Sequence, residues 1–194
     1  MKKVLLEPFE HYTEKKLLGI GILGTLIGCF IAYVFHARFD GVLDVHFVKA
    51  IEIYHPFLDN SINIITLSLL LFITGKIINK KTRCIDILNA CLIARLPYYL
   101  ISFGNINNYM LMLSQKLLNF DPSQPQLMPI GGVDLLLLLA FAFISLLLLI
   151  YFLYLLYKGY QIATNAKGAL AIGLFILAVL IAEVISKYLI YTLY

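Results

Sequence analysis

The stretch that decides the fold is DLLLLLAFAFISLLLLIYFLYLLY, which occupies Asp134–Tyr157. It contains no glycine or proline, and no charged residue follows Asp134 within it. An α-helix rises about 1.5 Å per residue, so a helix of this length is about 36 Å long, whereas the hydrocarbon core of a bilayer is about 30 Å thick. The stretch therefore predicts a membrane-spanning helix.

Four further apolar runs flank this stretch, and each is long enough to span a bilayer. They cover Leu17–His36, Ser61–Asn79, Asp86–Phe103 and Ala169–Tyr194. With 61% hydrophobic and 13% charged residues in a chain of 194, there is room for one helical domain and for no soluble catalytic module. We predict an all-α membrane protein whose residues 1–194 form a single transmembrane domain, a bundle of five helices.

Two longer loops are expected on the outer side, at residues 37–60 and 104–133. In the first, the turn signal Asp40-Gly41 precedes the β-branched and aromatic stretch Val45–Val48, which favours a hairpin or an interfacial helix. In the second, Tyr109–Phe120 is apolar enough to lie on the outer leaflet or to enter it.

Lysines and arginines lie in alternate loops, and this asymmetry predicts the orientation of the helices. Basic residues near helix ends resist translocation, so the richer set is cytoplasmic, together with the N-terminus, and an odd number of spans places the C-terminus outside. Because the net charge of +4 is sorted in this way, we do not interpret it as binding of nucleic acid. The richer set contains Lys2, Lys3, Lys15, Lys16, Lys76, Lys80, Lys81, Arg83, Lys158 and Lys167, and the poorer set Arg38, Lys49 and Lys116.

Stripes of small residues in the first and last runs predict close helix packing, because they let another helix approach. The letters of a dinucleotide-binding fingerprint also occur at Gly19–Gly24, but that motif needs a preceding strand and an aqueous phosphate site. We therefore expect helix contacts and no cofactor. The stripes are Gly24, Gly28 and Ala32 in the first run, and Ala178, Ala182 and Ser186 in the last.

Arg95 is the candidate centre of a polar cluster inside the membrane. An ionised side chain near the middle of a span needs a partner or water. Glu183, followed one helical turn later by Lys187, lies in the last run at a depth that Arg95 can reach, so we expect a contact between Arg95 and Glu183. Pro97 permits a kink beside the arginine. We interpret the cluster as a structural contact that holds the helices of the bundle together. The alternative is a site that binds a substrate or a proton.

No other pattern points to catalysis or to a metal. Histidines and carboxylates occur between His36 and His55, but their spacing matches no standard metal site. No nucleophile elbow, phosphate loop or metalloprotease helix is present in the sequence. Cys29, Cys84 and Cys91 are odd in number and are expected to be packing residues. We expect no enzymatic activity.

Four segments stand out together: Pro8-Phe9-Glu10, Arg38-Phe39-Asp40-Gly41, Ala94-Arg95-Leu96-Pro97-Tyr98-Tyr99 and Tyr157–Asn165. In this order and with five spans, the chain resembles the Yip1 domain family, in particular its small bacterial members. The resemblance implies a cytoplasmic N-terminus and a role in interaction or membrane organisation, with no established enzymatic activity. Eukaryotic members associate with small Rab-type GTPases.

The sequence thus predicts an integral protein of a bacterial cytoplasmic membrane that acts through helix faces. Its expected partners are the lipid bilayer and either another membrane protein or a second copy of the chain. The alternative function is a small permease or channel subunit with Arg95, Glu183 and Lys187 as its polar centre. Water access to that cluster would favour transport, and enclosure by apolar side chains would favour a structural role.

Overall fold

A computed structural model describes residues 7–120 and 130–193, which are about 80% helical. Five helical segments are long and apolar enough to cross a membrane, which indicates an integral membrane protein and confirms the expected number of spans. The helices are α1 (Pro8–His11), α2 (Glu14–Val34), α3 (Tyr54–Ile78), α4 (Cys84–Arg95), α5 (Tyr109–Leu118), α6 (Gly132–Thr164) and α7 (Ala169–Leu193).

The second and fourth spans extend beyond the boundaries that the sequence predicts. The second begins at Tyr54 rather than Ser61. Pro56 permits this earlier start, because it falls in the first helical turn, where proline is tolerated. The fourth continues to Thr164 rather than ending at Tyr157. Gly159 does not end this helix. The glycine packs closely against Ala90 of α4, since a Cβ at position 159 would lie 2.5 Å from the Cβ of Ala90.

The third span is broken into three segments, which the sequence predicts only in part. It runs as α4 to Arg95, continues as a 3₁₀ helix over Pro97–Asn108, and ends as α5. Proline lacks a backbone N–H and cannot donate the hydrogen bond that would continue the α-helix, which accounts for the change at Pro97, although Leu96 before it keeps α conformation. Asn107 and Asn108 have φ of 55° and 58°, so a sharp turn separates the 3₁₀ helix from α5.

The first loop contains a hairpin, which settles the choice left open by the sequence. Strands β1 (Ala37–Arg38) and β2 (His46–Phe47) pair antiparallel, with Ala37 opposite Phe47. We call this end of the bundle the hairpin end. The opposite end carries Lys76 in the last turn of α3 and Lys80, Lys81 and Arg83 between α3 and α4, and is called the basic end.

The helices pack in two main pairs, α3 with α7 and α4 with α6, and α2 lies against α4. The small residues of α2 face the third span, with Gly24 against Leu96 and Gly28 against the ring of Tyr99. Gly28 and Ala32 are buried and Gly24 is half-buried. In α7, the stripe of Ala178, Ala182 and Ser186 is buried.

Candidate functional site at the hairpin end

Arg95 is the last residue of α4, and its side chain is fully buried. Its Nη1 donates to the carbonyl oxygen of Val42 at 3.0 Å, and its Nη2 donates to Oδ1 of Asn60 at 3.1 Å. Val42 belongs to the hairpin and Asn60 to α3, so one guanidinium joins three parts of the chain. The Nε has no hydrogen-bond partner among the described residues.

Four aromatic rings enclose the guanidinium. The distances from Arg95 Cζ to the ring centres are 5.6 Å for Phe39, 5.8 Å for Tyr98, 6.0 Å for Tyr99 and 5.9 Å for Phe152. The negative face of an aromatic ring attracts a cation, most strongly away from water. The rings and the two hydrogen bonds therefore provide the partners that a charge inside the bundle requires.

The expected contact between Arg95 and Glu183 is wrong. The Oε2 of Glu183 accepts a hydrogen bond from the backbone N–H of Leu43 at 2.7 Å, while Arg95 bonds to the carbonyl of the preceding residue, Val42. The two side chains thus hold the same turn through neighbouring peptide groups. Gly41 makes this possible, because a Cβ there would lie 2.5 Å from Oε1 of Glu183.

Lys187 lies at the exposed rim of this region rather than in its centre. Its Nζ is 2.5 Å from Oδ2 of Asp44 and 3.8 Å from Oε1 of Glu183, and its side chain is 51% exposed. The structure therefore divides the three residues of the predicted cluster. Arg95 is enclosed, Glu183 is half-buried below the turn, and Lys187 faces outward.

A second buried layer holds the hairpin against α3. Nε and Nη2 of Arg38 donate to the two carboxylate oxygens of Asp59, each at 2.8 Å, and Asp59 is fully buried. Asn63, one turn further along α3, donates through Nδ2 to the carbonyl oxygen of Phe39 at 2.7 Å. Sequence reasoning missed Asp59, Asn60 and Asn63. Their spacing on one face of an otherwise apolar helix was the available signal.

The contacts at this site hold the hairpin against the helices. Its polar groups bind backbone carbonyls, a backbone N–H and one another. Aromatic rings from the hairpin, the 3₁₀ helix and α6 enclose it. Within residues 7–120 and 130–193, no three His, Cys, Asp or Glu side chains gather in a way that could hold a metal ion.

A second arginine site lies at the basic end, where the arginine is exposed and paired with carboxylates. Arg83 precedes α4, and its side chain is 60% exposed. It donates to both carboxylate oxygens of Asp86, at 2.8 and 2.6 Å, and to Oε2 of Glu14 at 2.7 Å. These hydrogen bonds, first to Asp86 and then to Glu14, raise the pKa of Arg83 above its ordinary value. The site ties the start of α4 to the start of α2.

The chain matches no known protein family, no curated protein and no solved structure.

Proposed function

We propose that this chain is an integral membrane protein with an interaction or membrane-organising role, of the Yip1-like type, and without catalytic activity. In this proposal it resides in a bacterial cytoplasmic membrane, with the basic end in the cytoplasm and the hairpin end outside. The distribution of lysine and arginine supports this orientation.

The observation that carries the proposal is the exposure of the apolar first half of α6, since the buried residues of this helix begin at Phe152. In the most apolar 18-residue stretch of this helix, 6% of the residues are buried inside the chain, compared with 61% in the third span. Leu136, Phe143 and Ile150 repeat every seven residues and are all more than half exposed. A second helix that packed along this seven-residue repeat would cover these side chains by van der Waals contact, which drives helix association in lipid. We infer that a partner protein or a second copy of the chain lies against this face.

The enclosure of Arg95 supports a structural role for the polar cluster over transport. A permease or channel subunit built on Arg95, Glu183 and Lys187 needs a path for water or substrate to the arginine. Four aromatic rings occupy its surroundings instead, and two of its nitrogens are bound within the chain.

A photocrosslinking residue at Leu139 tests the interaction role, with a matched control at Leu180. The two leucines are similarly exposed, at 58% and 55%, on α6 and α7. In native membranes we expect a discrete protein adduct from position 139 and lipid adducts alone from position 180. Mass spectrometry of the adduct identifies another protein or a second copy. Lipid adducts alone from both positions would contradict the proposal.

A further inference from the structure

We propose that a cleft at the basic end binds one phospholipid with a primary ammonium headgroup, of the phosphatidylethanolamine type. The cleft consists of a polar pocket and an apolar groove that meet at Tyr12 and Leu17, which line both. This inference goes beyond the interaction role, because it assigns a ligand class to another region and does not depend on what covers α6.

The polar pocket has a volume of about 280 Å³ and lies between α1, the starts of α2 and α4, and the end of α6. Glu14, Arg83 and Asp86 line it. The side chains of Glu14 and Asp86 are 41% and 27% exposed, so both carboxylates are accessible. Two carboxylates and one guanidinium leave an excess of negative charge, which favours a cationic group in the pocket.

Asn89 provides the second and independent indication of a ligand. It lines the pocket and is 3% exposed. Its Nδ2 donates to the carbonyl oxygen of Glu14 at 3.2 Å, whereas its Oδ1 is buried without a hydrogen-bond partner in the described chain. A buried acceptor left unpaired is costly, so this oxygen calls for a donor. A primary ammonium has three N–H donors, for Asn89 and the two carboxylates, while a quaternary choline headgroup has none.

The apolar groove continues from the pocket toward the middle of the bundle and has a volume of about 430 Å³. It lies beside the point where the third span changes from α4 to the 3₁₀ helix. An amphiphile with a charged head and an acyl chain fits a polar pocket that opens into an apolar groove. Ile20, Ile93, Leu100 and Leu155 are among the residues that line the groove.

The phosphate of a phospholipid, which lies between the headgroup ammonium and the acyl chains, would have a lysine near the opening of the cleft. Lys16 is exposed, and its Nζ lies 4.6 Å from the centre of the Tyr12 ring, which lines both parts of the cleft. The acceptors in the pocket and this lysine at its edge match a zwitterionic aminophospholipid. They match an anionic phosphatidylglycerol less well, because that headgroup brings no cation for Glu14 and Asp86.

Native mass spectrometry of the full chain in detergent tests the headgroup. The probes are phosphatidylethanolamine, phosphatidylglycerol and phosphatidylcholine with identical acyl chains. We expect one phosphatidylethanolamine to bind at least about tenfold more tightly than either of the others, since hydrogen bonds to a charged group are worth that much. Equal or tighter binding of phosphatidylglycerol or phosphatidylcholine would overturn the proposal.

Paired variants place the lipid in the cleft. Glu14→Gln removes a pocket carboxylate and should abolish most of the selectivity, while Glu10→Gln, at an exposed carboxylate outside the cleft, should retain it.

Ile20→Phe fills the groove and should weaken binding about tenfold. Ile22→Phe, on the same helix but outside the cleft, should leave binding unchanged. If Ile20→Phe and Ile22→Phe bind the lipid equally well, the site is not this cleft.

Discussion

Arg95 and Arg83 lie at the two ends of α4 and show opposite ways of accommodating the same side chain. Arg83 is exposed and is paired with two carboxylates. Arg95 has no exposed surface, and it bonds to a carbonyl and a side-chain amide and is surrounded by aromatic rings. A buried ion pair gains Coulomb energy but requires both charges to leave water. Neutral dipoles and ring faces satisfy the cation without the burial of a second charge.

The comparison separates a part of the molecule that holds the fold from a part that is open to a ligand. The hairpin end has two pockets, of about 230 and 270 Å³, but Arg95 lines neither of them. Arg83, by contrast, lines the pocket at the basic end. The following substitutions test this division, beginning with the largest expected effect.

Arg95→Ala should lower the free energy of unfolding by about 3–5 kcal/mol, because it opens a cavity and leaves Val42 O and Asn60 Oδ1 unpaired. Arg83→Ala is the matched control and should leave stability close to that of the unsubstituted chain, since exposed ion pairs contribute little. Unfolding in bicelles measures both. Equal losses of unfolding free energy in the two variants would contradict the distinction between an enclosed Arg95 and an exposed Arg83.

Asp59→Ala should cost about 3 kcal/mol, because it removes the buried carboxylate that forms an ion pair with Arg38. Replacing both residues, as Arg38→Met with Asp59→Leu, should recover most of this loss. A double-mutant cycle based on unfolding free energies measures the coupling. Additive losses from the two sites would show that the pair does not act as a unit.

Gly28→Ala should cost about 1–3 kcal/mol, because a Cβ there meets the ring of Tyr99, one of the four rings around Arg95. Gly19→Ala is the control on the same helix, where a Cβ has nothing within 4 Å. That change should be neutral or slightly stabilising, since alanine favours helix. If the two substitutions have the same effect on the melting temperature, α2 does not pack as described.

Lys187→Met should cost less than about 1 kcal/mol, because its pairs with Asp44 and Glu183 are at the rim. Added salt should reduce the difference between this variant and the unsubstituted chain. A loss as large as that of Arg95→Ala would place Lys187 in the enclosed centre. Unfolding at low and high salt distinguishes the two.

The five spans could be predicted from the sequence because each is a long apolar run, and length and hydropathy alone decide this property. The break at Pro97 was predictable as a kink, since proline removes a backbone donor. The sharp turn before α5 was not, because it depends on asparagines in left-handed conformation at positions 107 and 108.

The partners of Arg95 could not be predicted from residue types. The search for a carboxylate led to Glu183, whereas the acceptor is the backbone carbonyl of Val42, and every residue carries such a group. Which carbonyl reaches the arginine depends on how the hairpin folds back over the bundle. The pocket near Arg83 was missed for a similar reason, because it combines residues from four helices that are distant in sequence.

The central claim is that Arg95 is closed off from water while Arg83 is open to it. Phenylglyoxal modifies accessible arginines, and peptide mass spectrometry locates the modification in the unsubstituted, folded protein. The account predicts rapid modification of Arg83 and none of Arg95 until the protein is unfolded. Modification of Arg95 in the folded protein would contradict the account and would favour a water-filled path to the arginine, as a transport site requires.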